Sequence, residues 1–128
     1  MAETDLKKGR EMRRKLLGGD YVDRIAATTY KDPMMEKFID LASETIFGTL
    51  WTRPGLDLKT RTLITVISDV STGRTEELEI HLRMALRQGW SEEELQEAML
   101  HLLGYVGAPL VRGALLVAAK LFKELRAD

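Results

Sequence analysis

Arg74, Glu77 and His81 stand at intervals of three and four residues in the segment Arg74-Thr75-Glu76-Glu77-Leu78-Glu79-Ile80-His81. On a helix, positions 74, 77, 78, 81, 82 and 85 share one face. A cation, a carboxylate and an imidazole are therefore threaded through a stripe that Leu78, Leu82 and Ala85 complete. Glu77 precedes His81 by about one helical turn, close enough to orient the ring. Polar groups cost free energy when buried unless they are partnered, so the stripe reads as a site and not as filler. Each residue also has a plainer reading. His81 could be a hydrogen-bonded core histidine, and Glu77 a solvated neighbour of Glu76 and Glu79.

The elements that must position these groups are helices, because apolar residues recur with helical period and no two-residue alternation appears. A charged segment from about Glu3 to Leu17, with a thin stripe of Leu6, Met12, Leu16 and Leu17, ends at Gly18-Gly19. It is expected to be peripheral, lying across the surface or on a neighbouring subunit. A short helix from about Tyr21 to Thr28 follows. Asp32-Pro33 then places a capping residue before a proline at the first helical position, opening a helix that is expected to run to about Leu50. Trp51 to Leu56 reads as a loop, since Pro54-Gly55 punctuates strongly. Asp57 is a candidate cap for a helix over about 58–70 that is apolar nearly all round and is expected to be central.

Gly73 separates that helix from one over 74–88, which Gly89 closes. Ser91 with Glu94 forms a capping-box pattern for a helix to about Leu103. The stretch 104–109 is a break, and a last helix covers about 110–126. The expected architecture is one compact all-α domain over residues 1–128, with six or seven helices and residues 1–19 as its peripheral helix.

The 128-residue length suits one domain. A net charge of −1 argues against nucleic acid or an anionic membrane as partner. The absence of cysteine excludes disulfides, thiol nucleophiles and thiolate metal sites. With two histidines and no metal-ligand spacing, no metal is expected. The first residues lack an apolar leader core and no apolar run is long enough to span a membrane, so a cytoplasmic location is expected. Helices this apolar in so short a chain also point to oligomerisation.

The segments Leu50-Trp51-Thr52-Arg53-Pro54-Gly55-Leu56-Asp57, Arg61-Thr62-Leu63-Ile64-Thr65, Gly73-Arg74 and Glu77-Leu78 with His81-Leu82 resemble the carboxymuconolactone decarboxylase family. Tyr105, Gly107 and Pro109 match its tyrosine-glycine-proline segment, and the likeness covers about Tyr21 to Phe122. The related alkylhydroperoxidase D proteins carry two cysteines on the equivalent helix, which fall here on Arg74 and Glu77, and a glutamate where Thr62 stands. Dithiol peroxidase chemistry is thereby excluded.

The resemblance implies an alkylhydroperoxidase D-like helical subunit in a ring-like homo-oligomer, a homohexamer with a trimer as the alternative. It also implies a carboxy-lyase working without cofactor. The implied reaction is decarboxylation of 4-carboxymuconolactone, a small anionic lactone, to 3-oxoadipate enol-lactone in aromatic catabolism through protocatechuate. His81 and Glu77 would be the catalytic pair. A dianionic substrate needs fixed cations, for which Arg61, Arg74 and Arg53 are candidates. Trp51 is either a wall of the substrate site or a packing residue.

Two departures from the family pattern bear on specificity. Ser68-Asp69 replaces small or apolar residues, and Leu110-Val111-Arg112 follows Pro109 with extra bulk and charge. Asp69 could pair with an arginine such as Arg61 or alter the pocket. Two other readings are a decarboxylase or isomerase of a different oxo-acid or lactone, and a non-catalytic oligomeric binding protein.

Overall fold

A computed structural model describes residues 4–127, and every regular element among them is helical. Backbone contacts cluster into two compact units, Met1–Asp57 and Leu58–Asp128.

In the first unit, α1 (Asp5–Leu17) starts where the Thr4 hydroxyl accepts a hydrogen bond from the Lys7 amide at 3.2 Å. The expected start at Glu3 lies outside the described residues. The helix stops at Gly18, whose φ of 88° few other residues adopt. Only one glycine is spent on this stop, because Gly19 already opens α2 (Gly19–Ala27). Asp32 caps α3 (Pro33–Ala42) as expected, accepting from the Met34 amide at 2.8 Å.

Past Ala42 the chain does not continue as α-helix to Leu50. Ser43–Leu50 widens into π-helical turns, a distinction that hydrophobic periodicity over eight residues does not resolve. α1 crosses this segment backbone against backbone. A Cβ built on Gly9 would stand 1.7 Å from the Ser43 carbonyl oxygen, and one on Gly48 2.1 Å from that of Asp5. This close approach compensates for the thin apolar stripe of α1, which buries Leu16 and Leu17. Arg13 is buried too, its guanidinium 5.6 Å from the centre of the Tyr30 ring. Desolvation lowers its pKa, opposed by Tyr30 and Tyr21.

The second unit holds α4 (Leu58–Thr72), α5 (Thr75–Arg87), α6 (Glu92–His101) and α7 (Ala108–Ala127), with a 3₁₀ turn at Leu102–Gly104. Its core is formed by Val66 and Val70 of α4, Leu78 and Leu82 of α5, Leu95 and Met99 of α6, and Val111, Ala114, Ala118, Leu121 and Phe122 of α7. Each fully buried large aliphatic side chain contributes roughly 1.5–3 kcal/mol. α4 is apolar nearly all round in sequence, yet it buries one face only. Thr62, Val66, Asp69 and Val70 form its buried face, while Ile64 is 54% exposed.

Gly73, with φ of 70°, makes the turn between α4 and α5. The indole nitrogen of Trp90 donates to the Lys59 carbonyl at 2.9 Å, tying the start of α4 to the α5–α6 connection. The capping box forms as the sequence predicts: the Glu94 amide donates to the Ser91 hydroxyl at 3.0 Å and the Ser91 amide to the Glu94 carboxylate at 2.9 Å. These bonds hold the Glu94 pKa below its ordinary value. α7 starts two residues earlier than expected, since Pro109 is tolerated in a first turn where an amide hydrogen has no partner. Among the described residues no helix is long and apolar enough to cross a membrane.

Candidate active site

The site is built on the α4–α5 hairpin of the second unit. The helical stripe of α5 forms as expected, with Leu78, Leu82 and Ala85 buried. Arg74 and Glu77 lie at its exposed end, and His81 sits at its edge with 20% of its side chain exposed. The ring does not lean on Glu77. Its Nδ1 meets the Oδ2 of Asp69, twelve residues earlier on α4, in a hydrogen bond, and the Asp69 side chain is only 7% exposed. Asp69 is the one acid among the buried polar and charged residues described, the others being Arg13, Ser43 and Thr62. A buried carboxylate needs a donor, and the imidazole supplies it.

The hairpin itself is closed at the same residue. The Arg74 amide donates to the Asp69 backbone carbonyl at 2.9 Å, and the Leu78 amide donates to the Arg74 carbonyl at 2.9 Å to start α5. Asp69 was legible as an anomaly in an apolar helix, but its partner was not. Folding the two helices about Gly73 places the acid within one turn of the position facing His81, and that is the signal in the sequence that could have found the pair.

The other candidates are distributed as follows. Arg61 lies on α4, half-buried, eight residues before Asp69, on the order of 12 Å along the helix axis. Arg74 is at the N-cap of α5 and exposed. It shares a face with His81 two turns away. Arg53 and Trp51 belong to the first unit. Arg53 is exposed, whereas Trp51 is buried and stacks on Phe47 with ring centres 6.0 Å apart, a packing contact. Thr62 is wholly buried and its hydroxyl donates to the Leu58 carbonyl at 2.7 Å, so it acts within its own helix. Arg112 borders an apolar groove of about 460 Å³ with Leu103, Val111, Leu115 and Leu116, and neither Asp69 nor His81 lines that groove. No group of three or more acidic or histidine side chains able to hold a metal occurs among the described residues.

A helical hairpin carrying a buried acid against a partly exposed histidine, with Arg61 and Arg74 on the same two helices, can exchange a proton with an anionic substrate. Residues 36–120 match the model of the carboxymuconolactone decarboxylase family. The chain is 34% identical over 123 residues to the 4-carboxymuconolactone decarboxylase of Acinetobacter baylyi, covering 96% of this chain and 90% of that protein. It is 35% identical over 120 residues to the nitrosuccinic acid decarboxylase of Metarhizium robertsii, covering 92% and 81% respectively. The chain belongs to the carboxymuconolactone decarboxylase family and is a carboxy-lyase.

Proposed function

We propose that this enzyme decarboxylates 4-carboxymuconolactone to 3-oxoadipate enol-lactone, within the aromatic catabolism that proceeds through protocatechuate in the cytoplasm. The observation that carries this reading is the partly exposed histidine, anchored at one nitrogen, in a chain that aligns over nearly its whole length with a decarboxylase of that lactone.

The chemistry suits the residues. The substrate carries two carboxylates, and arginine binds a carboxylate through two parallel hydrogen bonds while keeping its charge when half-buried. Arg61 and Arg74 of the second unit supply such cations. As the carbon–carbon bond to the departing carboxylate breaks, its electron pair moves through the unsaturated ring onto the lactone carbonyl oxygen. No separate electron sink is then required, and a cation near that oxygen lowers the barrier. His81 delivers the proton to the carbon next to the carbonyl. Glu77, exposed one turn away, stands where it could return a proton from solvent.

Nitrosuccinate is a second reading, favoured by the 35% identity to a nitrosuccinic acid decarboxylase. The two compounds share the features that matter: a dicarboxylate, and an oxygen-bearing group that accepts the electrons left by CO2. The subunits assemble as a ring-like homohexamer in this reading. Its support is the line of Met34, Phe38 and Leu41, 76%, 55% and 62% exposed along one face of α3.

The test is turnover of freshly generated 4-carboxymuconolactone, following CO2 and enol-lactone by NMR, with nitrosuccinate in parallel. Enol-lactone formation that falls about 10²–10⁴-fold in His81→Ala is expected. Turnover of nitrosuccinate alone would replace the lactone reading, and full activity of His81→Ala would remove His81 from the chemistry.

A further inference from the structure

His81 has two ring nitrogens, and only one of them is engaged by the protein. Nδ1 meets Asp69 Oδ2. None of the hydrogen bonds among the described residues reaches Nε2, and none of their buried side-chain nitrogen or oxygen atoms lacks a partner, so Nε2 is open to solvent or substrate. An ionised carboxylate only accepts hydrogen bonds. Against an ionised Asp69 the shared proton is therefore Nδ1–H; the neutral ring then leaves Nε2 bare to take up a proton, and the imidazolium carries its transferable proton on Nε2.

We propose that Asp69 is the positioning residue of this site: by accepting the Nδ1–H of His81 it fixes the tautomer and orientation of the ring, so that Nε2 is the atom that hands the proton to substrate. The inference rests on the decarboxylase reading for what the proton does, but not for where it sits.

The surroundings of Asp69 suit the role better than those of Glu77. The Asp69 side chain is 7% exposed and its own backbone carbonyl is bonded to the Arg74 amide, at the turn that fixes α5 relative to α4. A carboxylate held on one arm of a hydrogen-bonded hairpin gives the imidazole on the other arm a single partner geometry. Glu77 is exposed, and among the described residues no hydrogen bond or ion pair joins it to the ring. Water can satisfy its carboxylate as readily as an imidazole can.

The proton step balances as follows. The carbon–carbon bond to the carboxylate breaks and releases CO2, and the electron pair passes to the conjugated acceptor of the substrate. The Nε2–H bond of the imidazolium breaks as a new carbon–hydrogen bond forms. The ring is left neutral with Nδ1–H still on Asp69, and Nε2 regains a proton from water. The net change is one carboxylate and one proton converted to CO2 and a carbon–hydrogen bond.

The experiment is two-part. In wild-type protein with ¹⁵N-labelled histidine, long-range ¹H–¹⁵N NMR at a pH where the ring is neutral should show Nδ1 protonated and Nε2 bare. Asp69→Asn keeps the size of the side chain, but its amide can donate to the ring and permit the opposite tautomer. That variant should shift the His81 signals toward the Nε2–H form and lower kcat for 4-carboxymuconolactone by about 10²–10⁴-fold, with KM little changed. An Nε2–H tautomer in the wild type would overturn the proposal, as would an Asp69→Asn protein with unchanged tautomer and kcat. The wild-type spectrum decides the point even if the variant does not fold. Absence of turnover with the predicted tautomer intact would instead remove the lactone as substrate and leave the Asp69–His81 assignment standing.

Discussion

Twelve residues of sequence separate Asp69 from His81, and the turn at Gly73 closes that distance to a hydrogen bond. The surrounding side chains divide into those that meet the ring and those that meet the solvent, and substitutions should divide in the same way. Glu77→Gln is expected to lower turnover less than His81→Ala does, because Glu77 is exposed and does not hold the ring; steady-state kinetics of the two variants compare them directly. Arg61→Lys keeps the charge but loses the planar two-pronged donor, so KM for a dicarboxylate should rise about tenfold, near 1.4 kcal/mol, with kcat less affected. An unchanged KM would assign Arg61 to the packing of α4 and not to the substrate.

At the scale of elements, the contact between α1 and the Ser43–Leu50 segment allows no added atom. Gly9→Ala and Gly48→Ala each drive a Cβ into backbone oxygen, which cannot swing aside. A loss of at least about 1–3 kcal/mol is expected in urea unfolding. Gly19→Ala is the control, since its new Cβ meets only the mobile end of the Arg14 side chain. The capping box of α6 makes a second prediction. Ser91→Ala should cost about 1 kcal/mol. Glu94 has its folded pKa depressed below 4.5, chiefly by the hydrogen bond from the Ser91 amide. Its contribution is present above the unfolded value and is lost as pH falls through the folded one. In Glu94→Gln the thermal midpoint should therefore fall less steeply below pH 4.5 than in the wild type; equal slopes would mean that the charge of Glu94 does not matter to α6.

For the whole molecule, exposed apolar side chains are the main residue of unexplained structure. Met34, Phe38 and Leu41 align on α3, a pattern that water alone does not favour. Light scattering of the wild type is expected to give a mass six times the 14.5 kDa subunit. Phe38→Asp with Leu41→Asp should reduce that mass while leaving circular dichroism unchanged. A monomeric wild type would dismiss the hexamer.

Much of this was legible in the residues. Helical period, the Asp32 and Ser91 caps, the glycine stops and the Arg74–Glu77–His81 stripe are local signals, each set by atoms within a few residues of one another, and a linear pattern records such distances. The all-α class and the α5 face followed from them, while the family resemblance was carried by the motif segments from Leu50 to Pro109. The partner of His81 is not local. It depends on the rotation of α4 about its axis and on the offset of the hairpin, which packing decides. The widening of Ser43–Leu50 likewise accompanies the close approach of α1, in which two glycines far apart in the chain admit each other's backbone. Sequence determined which helices form and which groups they carry; tertiary packing alone decided that the acid facing the histidine is Asp69, because only packing fixes how one helix face meets another.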